Sequence, residues 1–114
     1  MLDLVPRLKA LADELEGDER TGVLAVIQAM KAPARQIAVN AGLDGSAIVE
    51  HILREAPGTG YDINQDKFVD MFEAGVFDPV KVTRLALECA LSVSSTLLTT
   101  EAGITERKAA AKDA

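Results

Sequence analysis

The sequence predicts an all-α, multi-helical fold with one small β-hairpin. Apolar residues recur at helical spacing over most of the 114 residues, and a single short segment alternates instead. Aromatic residues make up only 4% of the chain and Trp is absent, so the core must consist mainly of Leu, Val, Ile, Ala and Met. Side chains of these types suit packed helices. The length is sufficient for one domain with its own core.

Three helices are predicted in the first third of the chain. Residues 2–15 carry the apolar stripe of the first. Gly17 breaks this helix, and Asp18 is the predicted N-cap of the second. Pro33 is predicted to interrupt the second helix and to stand in the first turn of the third, where its missing N–H costs least.

A fourth helix is predicted after a glycine stop. Gly42 is the predicted C-cap of the third helix. The fourth then begins near Asp44 or Ser46, residue types that cap helices well. It must end before Pro57, since Pro cannot continue a helix.

Residues 60–69 change from helical spacing to alternation, which predicts a short β-hairpin. Asn64, Gln65 and Asp66 form its predicted turn. A brief helical turn is expected over residues 70–74, and Gly75 ends it.

The hairpin segment also resembles a calcium-binding loop in part. Residues 62–73 place oxygen-bearing side chains at most ligand positions of an EF-hand loop. However, Lys67 stands where that loop requires Gly, and the sequence PGTG at residues 57–60 replaces the entering helix. A polar hairpin tip is therefore the favoured interpretation.

The last and longest predicted helix opens at Asp78-Pro79. Its apolar residues cover most of its circumference, which predicts a position central to the core. Cys89 lies on this apolar stripe and is predicted to be a buried, inert thiol. His51, the other single reactive side chain, is predicted to be a surface or partly buried structural residue. Residues 102–114 are predicted to form a polar flexible tail after a domain at residues 1–101.

Charge and hydropathy narrow the function classes. The net charge is −6, whereas nucleic acid and anionic membranes need clustered Lys and Arg. The first residues lack a basic signal-peptide region, and no apolar run approaches the length that spans a bilayer. We therefore expect a cytoplasmic protein with no nucleic-acid or membrane partner.

Asp78 admits two interpretations. As the N-cap of the last helix it would stabilise the fold by about 1 kcal/mol. As a carboxylate accepting hydrogen bonds from sugar hydroxyls it would contribute roughly 1.5–3 kcal/mol to ligand binding. The two roles are compatible, and periodicity alone favours the cap.

Four segments, in this order and spacing, resemble group I (GroEL-like) chaperonins. They are GDERTGV at residues 17–23, APARQI at 32–37 with NAG at 40–42, VDM at 69–71 with AGV at 74–76, and DPVKVTR at 78–84. The run LLTTE at residues 97–101 closes the resemblance. It covers the C-terminal half of the family's ATP-binding equatorial domain.

The resemblance implies residues for the nucleoside end of an ATP site. The position of Asp78 contacts the ribose, and that of Val76 packs on the adenine. The hairpin start of the family touches the base, which implies Ile63 and Asn64 here. This chain reads YDIN at residues 61–64, where the family usually reads YNAA.

The resemblance also implies contacts between subunits of a ring. Arg35 and Asp44 match positions at which the family pairs an Arg with an acidic residue across rings. An ordinary surface charge pair, worth under about 1 kcal/mol, is the alternative interpretation.

The expected function is that of a fragment of an ATP-dependent, protein-folding chaperonin. The phosphate loop and the catalytic carboxylates of the family have no match here, so we expect no ATPase activity from this chain alone and no catalytic residue within it. ATP, Mg²⁺ and K⁺ are expected as cofactors of the full-length parent, with unfolded proteins and a co-chaperonin bound through its other domains. The alternative is a stand-alone helical interaction domain without ATP chemistry.

Overall fold

A computed structural model describes residues 1–106 and confirms the predicted fold class, which is mostly helical with one antiparallel hairpin. The chain divides into two compact units, Met1–Phe77 and a second beginning at Asp78. A 3₁₀ turn at Leu2–Leu4 leads directly into the first α-helix. The elements are α1 (Val5–Glu14), α2 (Gly17–Asn40), α3 (Gly45–Ile52), β1 (Thr59–Asp62), β2 (Lys67–Asp70) and α4 (Val80–Thr99).

The core of the first unit lies between its three helices. α2 packs against α1 and against α3, and α3 also contacts β1. Six apolar side chains are 1–4% exposed and form this core: Val5, Ala12, Ile27, Met30, Ala38 and Val49. They are small or medium in size, as expected from a sequence so poor in aromatics.

The predicted break at Pro33 is wrong. α2 is one helix of 24 residues that contains Pro33 in its interior. Proline there removes one backbone hydrogen bond and costs about 3 kcal/mol. Met30 before it and Ala38 after it are both buried, so burial of one continuous face offsets the local cost.

The predicted N-cap at Asp18 is also wrong. Glu16 occupies the N-cap position, no side chain caps the helix, and Gly17 enters with φ of +61°. Asp18 and Glu19 lie in the first turn instead, where carboxylates interact favourably with the positive end of the helix dipole.

The end of α2 and the start of α3 follow the prediction closely. Gly42 has φ of +78°, and its N–H donates to the carbonyl of Val39 at 2.9 Å. The N–H of Leu43 donates to the carbonyl of Ala38 at 3.0 Å, which completes a Schellman motif. Asp44 is then the N-cap of α3, with Oδ1 accepting from two backbone N–H groups.

An ion pair joins α2 to α3. Lys31 Nζ, on a side chain only 18% exposed, donates to Glu50 Oε1 at 3.2 Å. This hydrogen bond, together with the positive charge of Lys31, lowers the pKa of the Glu50 carboxyl.

The hairpin prediction is confirmed. β1 and β2 are antiparallel, with Thr59 opposite Asp70 and Asp62 opposite Lys67. Gly60 is buried beneath Met71, whose Sδ would lie 2.7 Å from a Cβ at that position. A side chain at residue 60 would therefore displace Met71.

The last helix was predicted to lie at the centre of a core. Within the second unit, which begins at Asp78, this prediction is wrong. α4 contains no buried residue, and the structure shows no second element between Asp78 and Glu106 against which it could pack. Cys89 is exposed, contrary to the predicted buried thiol. Residues 101–106 are irregular, and the rest of the predicted tail lies outside the described residues. No helix within residues 1–106 has the length and apolarity needed to cross a membrane.

Candidate functional site

The hairpin turn presents Ile63 and Asn64 side by side at its tip. Asp62 Oδ1 accepts hydrogen bonds from the N–H groups of Asn64 at 2.9 Å and Gln65 at 3.3 Å. This side-chain turn fixes the backbone of both predicted contact residues. Ile63 is 40% exposed and Asn64 is exposed, so both side chains are available to a ligand.

A second carboxylate closes the other side of the turn. Asp66 has φ of +52°, a left-handed conformation that Asp tolerates better than most residues. Its Oδ1 accepts a short hydrogen bond from the Tyr61 hydroxyl. This bond stabilises the neutral phenol and raises the pKa of Tyr61. Asp62 and Asp66 stand at positions that match calcium ligands in the sequence. In the structure, both carboxylates accept hydrogen bonds from within the hairpin.

Stacked rings attach the hairpin to α3. Phe68 lies against His51 with ring centroids 3.9 Å apart and against Tyr61 with centroids 4.9 Å apart. His51 Nε2 also lies 3.2 Å from Glu55 Oε1. His51 is half-exposed and makes structural contacts, as the sequence predicted.

The segment after β2 presents Val76. Asp70 Oδ1 accepts from the N–H groups of Phe72 at 2.8 Å and Glu73 at 3.1 Å, which starts a single helical turn. Gly75 ends the turn with φ of +73°, and the Val76 N–H donates back to the Met71 carbonyl at 2.8 Å. Val76 emerges 52% exposed.

An exposed aromatic pair flanks Val76. Phe72 and Phe77 stack with centroids 5.5 Å apart and are 77% and 68% exposed. The sequence of residues 72–77 does not predict this pairing, because it depends on the left-handed backbone of Gly75 between the two rings.

Asp78 is not the N-cap of α4, which corrects the structural interpretation made from the sequence. Pro79 takes that position with ψ of 130°, so the helix begins one residue later than predicted. No side chain caps the helix, and Asp78 is exposed. The carboxylate of Asp78, the first residue of the second unit, is therefore not used for capping.

Arg35 and Asp44 lie at the contact between α2 and α3. Gly45 follows Asp44 and is buried against Arg35, whose Cγ would lie 2.8 Å from a Cβ at position 45. Both cap bonds to Asp44 use Oδ1, from Ser46 N at 3.0 Å and Ala47 N at 3.1 Å. Arg35 and Asp44 are both exposed.

One connection could not be found from the sequence. Asp3 Oδ1 accepts a hydrogen bond from the Gly58 N–H at 3.2 Å across a separation of 55 residues. Local patterns carry no signal for a bond of this kind, because its partners are brought together only by the packing of the first unit.

Comparison with known proteins identifies the family. The sequence model of the TCP-1/cpn60 chaperonin family matches residues 1–108. The fold is similar to the open-state monomer of a group II chaperonin from Methanococcoides burtonii, with a TM-score of 0.80, 25% identity and 87% of this chain covered. The chain spans 26% of the length of that solved chain. Because the family match extends over most of its length, the chain belongs to the TCP-1/cpn60 chaperonin family.

Proposed function

We propose that this chain supplies the nucleoside side of the ATP site of a protein-folding chaperonin. The observation that carries the proposal is the state of Asp78. This aspartate begins the DPVKVTR segment, yet it is exposed and does not cap α4. An exposed carboxylate that makes no cap bond supports a role in accepting hydrogen bonds from a ligand.

In this proposal each residue has a separate task. Asp78 accepts hydrogen bonds from the ribose hydroxyls, and a charged acceptor makes such bonds worth roughly 1.5–3 kcal/mol. Val76 offers an exposed apolar surface to the adenine ring. Ile63 and Asn64 approach the base from the hairpin tip, where the Asp62 carboxylate holds their backbone.

The phosphate end of the nucleotide is assigned to other parts of a full-length parent. Among residues 1–106, no group of three His, Cys, Asp or Glu side chains could hold a metal ion. We assign no step of hydrolysis, and no role with Mg²⁺ or K⁺, to the residues of this chain, because the phosphate loop and the catalytic carboxylates of the family have no match in its sequence. We expect the chain alone to lack ATPase activity.

The group I assignment belongs to the same proposal. It rests on the APARQI and DPVKVTR runs, whereas the similar solved structure is a group II chaperonin. Protein clients and a co-chaperonin, bound by the parent's other domains, are expected from this assignment. Cytoplasmic localisation is proposed from the start of the sequence, which lacks a basic signal-peptide region.

We propose further that Arg35 and Asp44 contribute to contacts between chaperonin subunits. Asp44 uses Oδ1 for both cap bonds, which leaves Oδ2 to accept from a guanidinium of a neighbouring subunit. Arg35 is exposed beside the start of α3. An Arg–carboxylate pair can be bidentate and geometrically specific, which suits a contact that sets subunit register.

Nucleotide affinity of the intact parent tests the proposal. Asp78→Ala is expected to weaken ADP binding about 10- to 150-fold, the equivalent of a charged hydrogen bond. Asp78→Asn, which keeps an acceptor but loses the charge, is expected to fall between Ala and wild type. Asp13→Ala, in α1 where the carboxylate is exposed and pairs with Arg20, is the matched control. Unchanged affinity in Asp78→Ala would refute the ribose role.

A stand-alone interaction domain remains the second candidate because of one observation. Apolar residues of α4 are widely exposed, including Val82 at 62%, Val93 at 62% and Leu98 at 87%. Light scattering of the purified chain separates the two functions. A fragment with an uncovered apolar helix is expected to aggregate, whereas a stable monomer or defined oligomer favours the interaction domain.

A further inference from the structure

Gly58 joins the N-terminal turn of the chain to the base of the hairpin. Its N–H donates to Asp3 Oδ1 at 3.2 Å, and its carbonyl accepts from the Met71 N–H at 3.0 Å. With φ of +92°, Gly58 adopts a backbone conformation that is unfavourable for other residues. The backbone N–H and the carbonyl of Gly58 are thus both hydrogen-bonded, immediately before β1 begins.

Asp3 is itself held in place from the other side. It lies in the 3₁₀ turn Leu2–Leu4, closed by the Leu4 N–H donating to the Met1 carbonyl at 3.1 Å. Two residues later Val5 is only 1% exposed and begins α1 within the core. The 3₁₀ turn and the burial of Val5 therefore hold the Asp3 backbone, which places its carboxylate within reach of the Gly58 N–H.

A hydrogen bond to a charged group is stronger than one between neutral groups, but exposure reduces its net contribution. Asp3 is exposed, so the bond is a modest local restraint rather than part of the core. The bond restrains the backbone of Gly58. The Gly58 carbonyl also accepts the hydrogen bond from the Met71 N–H that extends the hairpin ladder, so the restraint acts on the base of the hairpin.

We propose that Asp3 is a positioning residue that holds the base of the hairpin and, through it, the turn carrying Ile63 and Asn64. The link to nucleotide binding rests on the proposed function of that turn. The role of Asp3 in positioning the hairpin is independent of that proposed function, because it follows from the hydrogen bonds of Gly58 alone. Asparagine at position 3 would retain an acceptor oxygen, whereas alanine would retain none.

Amide hydrogen exchange of the whole chain tests the positioning role directly. Asp3→Ala is expected to accelerate exchange at the Gly58 and Met71 amides about 2- to 10-fold, the equivalent of one net hydrogen bond. The Leu53 amide, bonded to the Val49 carbonyl in α3, is expected to be unaffected. Asp3→Asn, which keeps an acceptor oxygen but loses the charge, is expected to exchange at a rate between those of Asp3→Ala and wild type.

Asp13→Ala is the matched control, because Asp13 lies in α1 and pairs with Arg20 rather than with the hairpin. If exchange at Gly58 and Met71 is the same in Asp3→Ala and wild type, the inference is overturned. If Asp3→Asn exchanges as fast as Asp3→Ala, it is overturned as well, because an acceptor at position 3 would then be irrelevant.

ADP binding by the intact parent separates this inference from the proposed function, because the phosphate end of the nucleotide is assigned to parts of the parent outside this chain. If wild type binds ADP, we expect Asp3→Ala to bind it more weakly and Asp3→Asn to bind it with an affinity between those of Asp3→Ala and wild type. Equal ADP affinity of wild type and Asp3→Ala would overturn the extension of the role to the ligand. If wild type fails to bind ADP while exchange responds as expected, the nucleoside assignment fails for this chain and Asp3 still positions the hairpin.

Discussion

The imidazole of His51 lies nearly parallel to the ring of Phe68, with an interplanar angle of 11° and centroids 3.9 Å apart. This contact joins the last turn of α3 to β2. Phe68 also meets Tyr61 edge to face at 66°. In a chain with only 4% aromatic residues, one of the few ring clusters is used to attach the hairpin to the helices.

Removal of the Phe68 ring is expected to destabilise the first unit. Phe68→Ala loses the area buried by a half-buried ring and its contacts with two other rings, together about 2 kcal/mol. Phe72→Ala is the matched control, because that ring is 77% exposed, and we expect it to cost under about 1 kcal/mol. Urea unfolding measures both. Equal costs would show that the stack does not stabilise the hairpin.

Tyr61 is the only tyrosine and the chain has no Trp, so its ionisation can be followed by ultraviolet absorbance. The Asp66 hydrogen bond raises the pKa of Tyr61 in the folded state. This contribution to stability is therefore fully present below the unfolded pKa of about 10 and is lost as pH rises through the higher folded pKa. Asp66→Gly, which suits the positive φ, is expected to return the titration toward pH 10. An unchanged titration would contradict the bond.

Asp44 and Asp78 are expected to differ in their effect on stability. Asp44→Ala removes an N-cap and is expected to cost about 1 kcal/mol. Asp78→Ala removes a carboxylate that makes no cap bond and is expected to change stability by less than about 0.5 kcal/mol. Thermal unfolding of the two variants checks this. A cost at Asp78 as large as that at Asp44 would restore the capping interpretation.

Gly45 is expected to resist substitution for a steric reason. A Cβ at this position would meet the Arg35 backbone carbonyl at less than any normal contact distance. Gly45→Ala is therefore expected to destabilise the protein by roughly 1–3 kcal/mol. Gly22→Ala, in the exposed interior of α2 with no atom near the added Cβ, is expected to stabilise it by about 0.5–1 kcal/mol. The denaturant midpoint of unfolding is therefore expected to fall in Gly45→Ala and to rise in Gly22→Ala. An unchanged midpoint in Gly45→Ala would contradict the steric argument.

Features set by a few neighbouring residues could be predicted from the sequence. Gly42 ends α2 and Asp44 caps α3 because each acts on the backbone within a few residues of itself. The hairpin was predicted correctly for the same reason. The helical turn after it depends on the Asp70 carboxylate and on Gly75, both within five residues.

Features decided by packing could not be predicted in this way. Pro33 predicts a break, but burial on both sides of it keeps α2 continuous. Asp78-Pro79 predicts a capped start, but Pro79 is the N-cap residue, with ψ of 130°, and no side chain caps α4. The apolar spacing of α4 predicts burial, although spacing indicates only which side could be covered, and Cys89 is exposed. The bond from Asp3 to Gly58 has no local signal at all.

The most direct test is a cryo-EM structure of the intact parent with a non-hydrolysable ATP analogue. We expect a carboxylate oxygen of Asp78 within about 3 Å of a ribose hydroxyl, and Val76 in contact with the adenine. A nucleotide bound elsewhere, or an Asp78 side chain directed away from the sugar, would contradict the account.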